Sequence, residues 1–232
     1  MHILASRDMT SVQLTFVSFP KGAYAKKVGF LRSSLGAFFK NDDRFHQHDE
    51  EGKLHYRYPH VQYRWDNERG IVLGWEESAQ TLRDISWTEL SLPMESVQRP
   101  VVEATIYISE GLFGVSDRLE RYLLETPVLL FNQNNYRCFQ TMSQSEKRIE
   151  QDRLLVAQLL VALRGLRVDF PERLYATFGA VSVAPCRYKE QTLIGLFGDF
   201  VTNAWLPDGF SFGHAVSHGF GWVRRISERT TS

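Results

Sequence analysis

The histidines of this 232-residue chain are unevenly spread. Apart from His2 they fall in two stretches, one with His46, His48, His55 and His60 and the other with His214 and His218. Imidazole titrates near pH 6.5, so a pair of them can divide acid and base work at neutral pH. Alternate residues of extended backbone share a face, which places His46 and His48 together, roughly 6–7 Å apart. That span can straddle a phosphodiester. RNA carries its own nucleophile, the 2′-hydroxyl; one imidazole would take its proton while the other protonates the departing 5′ oxygen, each worth about 10²- to 10⁴-fold. A cation from Lys40, Arg44 or Arg57 would stabilise the charged transition state. Two other readings fit the same residues. His-x-His could belong to a metal site completed by Asp43, Asp49, His55 or His60, although no second motif with ligand spacing accompanies it. Alternatively, both histidines are solvated surface residues of a polar stretch.

The second concentration is LPDGFSFGHAVSHGFGWVRR, Leu206 to Arg225, with Gly209, Gly213, Gly219 and Gly221 close together. Glycine tolerates positive φ and lets a ligand approach main-chain N–H groups, so such a loop can form an anion-binding concavity. His214, Ser217 and His218 between the glycines, and Arg224 and Arg225 after them, are donors suited to sugar and phosphate oxygens. The plainer reading is a long hairpin whose glycines only turn the chain.

These residues need elements to hold them. Ser11 to Pro20 alternates as a first strand, and Ala23 to Phe39 carries Val28, Leu31, Leu35, Phe38 and Phe39 at helical spacing, with Lys26, Lys27 and Arg32 off that face. LHYRYPHVQYRW reads as a strand that Pro59 confines to an edge or a bulge. Ile71 to Gly74 is its hairpin partner, Glu76 to Ile85 a short helix and Val102 to Ile108 a strand. The second half begins near Glu110 to Thr126. It continues with a strand at Val128 to Phe131, a polar turn at Asn132 to Asn135 and a long helix from Ser143 to Leu166. That helix has Lys147 in its first turn, is read as lacking a full capping box, and is closed by Gly165. Leu174 to Val183 and Thr192 to Ala204 form a hairpin around Pro185 to Gln191, and Phe220 to Ile226 is a last strand. The pattern suits antiparallel sheets with helices on one face, an α+β fold.

Composition sets bounds. With 43% hydrophobic and 13% aromatic residues the chain can bury a core, and 27 basic residues against 27 acidic leave no net charge. The first forty residues are nevertheless basic, with Arg7, Lys21, Lys26, Lys27, Arg32 and Lys40 against Asp8 alone. A local patch can bind phosphates because charge is screened over about 8–10 Å. Cys138 and Cys186 suggest neither a disulfide framework nor a zinc site. The N-terminus lacks a signal-peptide core, and Leu154 to Leu166 is too short to span a bilayer, so a soluble cytoplasmic protein with no membrane partner is expected.

Both stretches resemble one family. TNAWLPDGFSFGHAVSHGFGWVRR is similar to the C-terminal glycine-rich loop of CRISPR-associated RAMP proteins, in particular the Cas-six family of RNA-processing endoribonucleases. It keeps Leu206, Pro207, Asp208, Gly213, Ser217, Gly219, Phe220 and Gly221 of their pattern. Ser211 stands where the first glycine is expected, His214 where the lysine is, and His218 where the arginine is. FHQHDEEGKLHYRYPHVQY resembles the branch with an N-terminal His-x-His motif, through Phe45, His46, His48, Tyr56, Arg57, Tyr58, Pro59, Gln62 and Tyr63. The resemblance implies two tandem ferredoxin-like (RRM-like) halves, 1–110 carrying His-x-His and 111–232 carrying the glycine loop. It implies an endoribonuclease that cleaves CRISPR repeat RNA by metal-independent acid-base attack, leaving 2′,3′-cyclic phosphate and 5′-hydroxyl ends. No cofactor or metal is expected. His46 and His48 are then the catalytic pair, supported by Lys40 and Tyr56. RNA contacts are expected from Lys26, Lys27, Arg32 and Arg57, and from Gly213, His214, Ser217, His218, Gly219, Phe220, Gly221, Arg224 and Arg225. Other CRISPR effector subunits, or a second copy in a homodimer, are compatible partners. The alternative is a non-catalytic repeat-RNA-binding subunit of an effector complex.

Overall fold

The structure, a computed structural model, describes residues 9–22, 28–45, 57–94 and 97–226. They divide into two compact units, one of residues 12–110 with 216–219, the other of 9–11, 111–215 and 220–226.

The first unit runs β1 (Thr10–Ser18), α1 (Val28–Phe38), β2 (Val61–Asp66), β3 (Arg69–Trp75), α2 (Glu77–Asp84), a small hairpin β4 (Ser91–Met94) and β5 (Val97–Pro100), and then enters β6 (Thr105–Leu124). Its strand order is β2-β3-β1-β6. Numbered along the chain without the inserted hairpin, that is the 4-1-3-2 order of a βαββαβ ferredoxin-like sheet. Register fixes the faces: Val17 and Tyr63 both pair with Val72. All three join Leu31, Leu35, Leu82 and Trp87 in the helix-covered core. Each large apolar side chain buried there contributes about 1.5–3 kcal/mol. Phe16 and Gln62 both pair with Leu73 and point to the other face.

In the second unit β6 is followed by α3 (Gln133–Thr141), α4 (Gln144–Gly165), β7 (Ala176–Tyr188), β8 (Gln191–Trp205) and β9 (Val223–Arg225). β6 pairs antiparallel with β8 and β9, and β8 with β7. This is the 4-1-3-2 order again, with α3 and α4 in the first crossover. In the second crossover, where a helix is usual, the chain makes only a 3-10 turn at Val216–His218 between β8 and β9. The glycine loop therefore stands in the place of a helix. The α+β fold of two ferredoxin-like halves with antiparallel sheets agrees with the expectation.

Several elements differ from their sequence reading. Strand 102–108 and the start of the second half are one strand, β6, whose residues 105–110 belong to the first unit and 111–124 to the second. The polar stretch read as a turn opens α3, because the Asn132 side chain accepts from the Asn135 N–H at 2.8 Å and caps it. Val128 to Phe131 contributes two isolated bridges, Val128 to Leu196 and Leu129 to His214, rather than a strand. Ser143 and Glu146 do form a capping box on α4. Strand β7 runs through Pro185, which pairs with Ile194; β7 lies at the sheet edge, where a missing N–H costs no ladder bond.

Candidate functional site

Helix α1 ends on Phe38, and the following turn returns the chain to the core: Phe45 stacks on Phe39 with ring centroids 4.2 Å apart and is only 3% exposed. His46 is the next residue in sequence. His46, His48 and Tyr56, with Lys26 and Lys27 of the basic stretch, lie outside the described residues. The flanks of that stretch are described. Arg57 donates to Asp43 at 2.9 Å, so residues 43 and 57 are held together on the surface. Just beyond, Tyr58 is buried and its hydroxyl accepts from Gln62 at 3.0 Å, which leads the chain into β2.

The three cations considered for transition-state stabilisation differ in their surroundings. Arg44 is committed to Asp42, with contacts of 2.8 and 2.6 Å, and also reaches the Thr81 hydroxyl. The Asp42 carboxylate raises the Arg44 guanidinium further above its ordinary value. Arg57 faces Asp43. Lys40 is exposed at the end of the α1 turn and has no ion pair among the described residues. Arg32, half-buried on α1, lies close enough to Tyr63 to act on its phenol, which burial raises well above the usual range. On the opposite face of β2, Arg64 is 2% exposed, and desolvation pushes its guanidinium down to about 9, still charged at neutral pH. Nothing in the sequence marks Arg64 as interior.

Part of the glycine loop clusters with the first unit. The 3-10 turn Val216–His218 packs on β2 and α1, and a Cβ on Gly219 would stand 3.1 Å from the Tyr63 carbonyl and 3.2 Å from Val28. Ser217 is 3% exposed, so its hydroxyl faces protein rather than solvent, and His218 is half-buried.

The rest of the loop belongs to the second unit and is staked at its base. The Tyr122 hydroxyl accepts from the Leu206 N–H at 2.8 Å and donates to the Ala204 carbonyl at 3.2 Å. Phe210 and Phe212 are fully buried and belong to the core. Phe220 is half-buried, edge-on to Tyr188 at 6.3 Å. The His214 N–H donates to the Leu129 carbonyl at 2.8 Å. The residue keeps surface in solvent, but desolvation of its ring lowers the imidazole from its ordinary value and so favours the neutral form.

The loop amides are largely engaged. Gly219 donates to the Val216 carbonyl at 3.1 Å and Gly221 to the Pro127 carbonyl at 3.0 Å. The glycines answer backbone need instead: Gly209, Gly213, Gly219 and Gly221 have φ of 96°, 92°, 86° and 71°. Turning the chain accounts for all four conformations, and at Gly219 and Gly221 the amide is spent on a protein carbonyl. Arg224 pairs with Glu125. Arg225 lies over the Trp205 indole at 3.9 Å, with Glu120 at 3.7 Å and its own N–H donating to Asp208 at 3.3 Å. The solvent-exposed Arg224–Glu125 pair is worth about 0–1 kcal/mol, so a phosphate can exchange for that carboxylate at little cost, whereas the Glu120 carboxylate beside Arg225 is buried and is not given up so readily. Sequence reasoning missed Tyr122, Asp42 and these carboxylates; only the opposite charges of Asp43 and Arg57 flanking the histidine stretch offered a signal. No group of three His, Cys, Asp or Glu side chains able to hold a metal occurs among the described residues. No helix among them is long and apolar enough to cross a membrane.

Comparison with known proteins matches residues 9–109 to the Cas6b N-terminal domain and residues 114–226 to the Cas6b C-terminal domain. An uncharacterised protein of Methanocaldococcus jannaschii is 28% identical over 116 residues, which cover 50% of this chain and 79% of that protein. A crystal structure of Cas6b is similar with a TM-score of 0.83 at 20% identity, over 94% of this chain and 100% of the other. A crystal structure of a CRISPR RNA processing endoribonuclease Cas6b gives 0.72 at 19%, over 94% and 100%. A Cas6 product complex gives 0.59 at 9%, over 93% and 99%. At these identities the structural likeness establishes the fold.

Proposed function

Because the chain belongs to the Cas6b family, we propose that it is an endoribonuclease that cuts CRISPR repeat RNA into guide RNAs. The observation that carries this reading is the match of both family domains, in order, over residues 9–109 and 114–226. The relative described as a CRISPR RNA processing endoribonuclease supports it.

In the proposed reaction one imidazole of His46 and His48 removes the 2′-hydroxyl proton. The 2′ oxygen attacks phosphorus, and the bond from phosphorus to the 5′ oxygen breaks as the other imidazole delivers a proton to that oxygen. The products are a 2′,3′-cyclic phosphate and a 5′-hydroxyl, and no metal takes part. Lys40, exposed and with no ion pair among the described residues, is the cation assigned to the pentacoordinate phosphorane, and Tyr56 supports the pair. Residues 1–110 supply the chemistry, and residues 111–232 supply the glycine loop with Arg224 and Arg225 for the RNA backbone. Arg32, Arg57, His218 and Phe220, with Lys26 and Lys27, are further proposed contacts. The protein acts in the cytoplasm on repeat transcripts, alone, as a homodimer or with other effector subunits.

The test is incubation of labelled repeat transcript with the protein in EDTA. A single cut ending in cyclic phosphate is expected, and His46→Ala or His48→Ala should slow it by at least about 10²-fold while binding persists. Retention of RNA without cutting would make the protein a binding subunit; cutting abolished by EDTA would make it a metal-dependent nuclease.

A further inference from the structure

The first unit carries a second concentration of RNA-type chemistry that neither the histidine stretch nor the glycine loop uses. Strand β1 alternates, so with Val17 in the helix-covered core, Phe16 and Ser18 emerge on the opposite sheet face. There they line a cleft of about 490 Å³ with Tyr107 from β6 and with Lys21, Asp66 and Arg69 around the β2–β3 hairpin. The cleft is built rather than incidental. Gly22 donates to the Glu68 carbonyl and Phe19 to the Gly70 carbonyl, both at 3.0 Å, which fixes the Lys21 turn against the hairpin. Phe16 is half-buried and Tyr107, near the start of β6, is 53% exposed, so neither ring is enclosed by the core. Lys21 and Arg69 are exposed and have no ion pair among the described residues.

An apolar ligand would leave both cations without a partner, and a bare anion would leave both rings unused. A nucleotide uses all of them. Bases stack on exposed aromatic rings of a four-stranded sheet, phosphates take the cations, and a carboxylate such as Asp66 accepts from a base amino group. The volume falls within the range of sites that hold one small organic group.

We propose that this open sheet face binds unpaired bases of the RNA strand, with Phe16 and Tyr107 as the stacking platform and Lys21 and Arg69 as the phosphate contacts. The choice of ligand rests on the RNA-processing reading above, and the cleft is lined by none of the residues assigned there to cutting.

The test uses the full chain and a fluorescein-labelled RNA octamer containing all four bases, followed by anisotropy in EDTA. Tyr107→Ala should weaken binding roughly tenfold, the usual consequence of losing one stacked base. Lys21→Glu with Arg69→Glu should weaken it further and flatten the log affinity against log salt slope by about 1.4, two phosphates at about 0.7 each. Both changes are at exposed positions, and unchanged melting temperatures verify the fold. Wild-type binding to both variants, or no binding of the octamer by the wild-type chain, overturns the proposal. Displacement of the octamer by cytidine monophosphate alone at micromolar concentration also overturns it, in favour of a free nucleotide. Loss of repeat cleavage by the wild-type chain with Tyr107-dependent octamer binding intact would instead remove the enzymatic reading and leave this one standing.

Discussion

Lys40, Arg44 and Arg57 are close in sequence to the histidine pair, and composition gives no reason to rank them. The structure does: Arg44 is tied to Asp42 and Arg57 to Asp43, while Lys40 has no ion pair among the described residues. A cation already neutralised by a neighbouring carboxylate adds little to a developing negative charge, whereas an unpaired one adds its full field. Lys40→Ala is therefore expected to lower the cleavage rate at least about tenfold, with Lys40→Arg restoring most of it, and Arg44→Ala to leave the rate within about twofold. Single-turnover cleavage rates check this, and equal losses for Lys40→Ala and Arg44→Ala would refute the ranking. The cations themselves could be read from the sequence. Which carboxylate each one meets could not, since Asp42 and Asp43 are adjacent in sequence and yet pair with different arginines.

Among elements, the glycine loop shows how far local composition carries. Its density of glycine announced positive φ, and that is what the four positions have. That the Gly219 and Gly221 amides face the protein depends on Val216 and Pro127, residues with no pattern to betray them. That placement can be tested by adding one methyl group. At Gly221 φ is 71° and a Cβ would meet the Phe212 carbonyl oxygen 1.9 Å away; at Gly22 φ is 68° and nothing lies within 4 Å. Gly22→Ala should cost about 1 kcal/mol of backbone strain alone, and Gly221→Ala at least about 2 kcal/mol more through the clash. Denaturant melts of the two variants compare them directly; equal costs would mean that the loop relaxes around the methyl. Helix α3 escaped detection for a related reason. It is polar, so no apolar stripe announces it, and its start depends on one Asn132 cap.

At the scale of the whole molecule, the two halves were legible as a repeated order of strands and helices, but the strand they share was not. Its burial alternates irregularly over twenty residues, so no single period marks β6 as one element. Residues 105–110 of β6 serve one ferredoxin-like sheet and residues 111–124 the next along one unbroken strand, so fraying of the strand in either half runs on into the other. Heating should therefore give one cooperative transition with calorimetric and van't Hoff enthalpies in agreement; two separable peaks in scanning calorimetry would refute the coupling. The Asp43–Arg57 contact has a different kind of consequence. The side chains of two residues fourteen apart meet at 2.9 Å in an exposed ion pair, so the described chain on either side of residues 46–56 comes within reach of itself. Loop-closure entropy grows only slowly with length, by about 0.6 kcal/mol per doubling. A change of length between these two residues is therefore expected to cost little stability, provided that Phe45 keeps its place in the core.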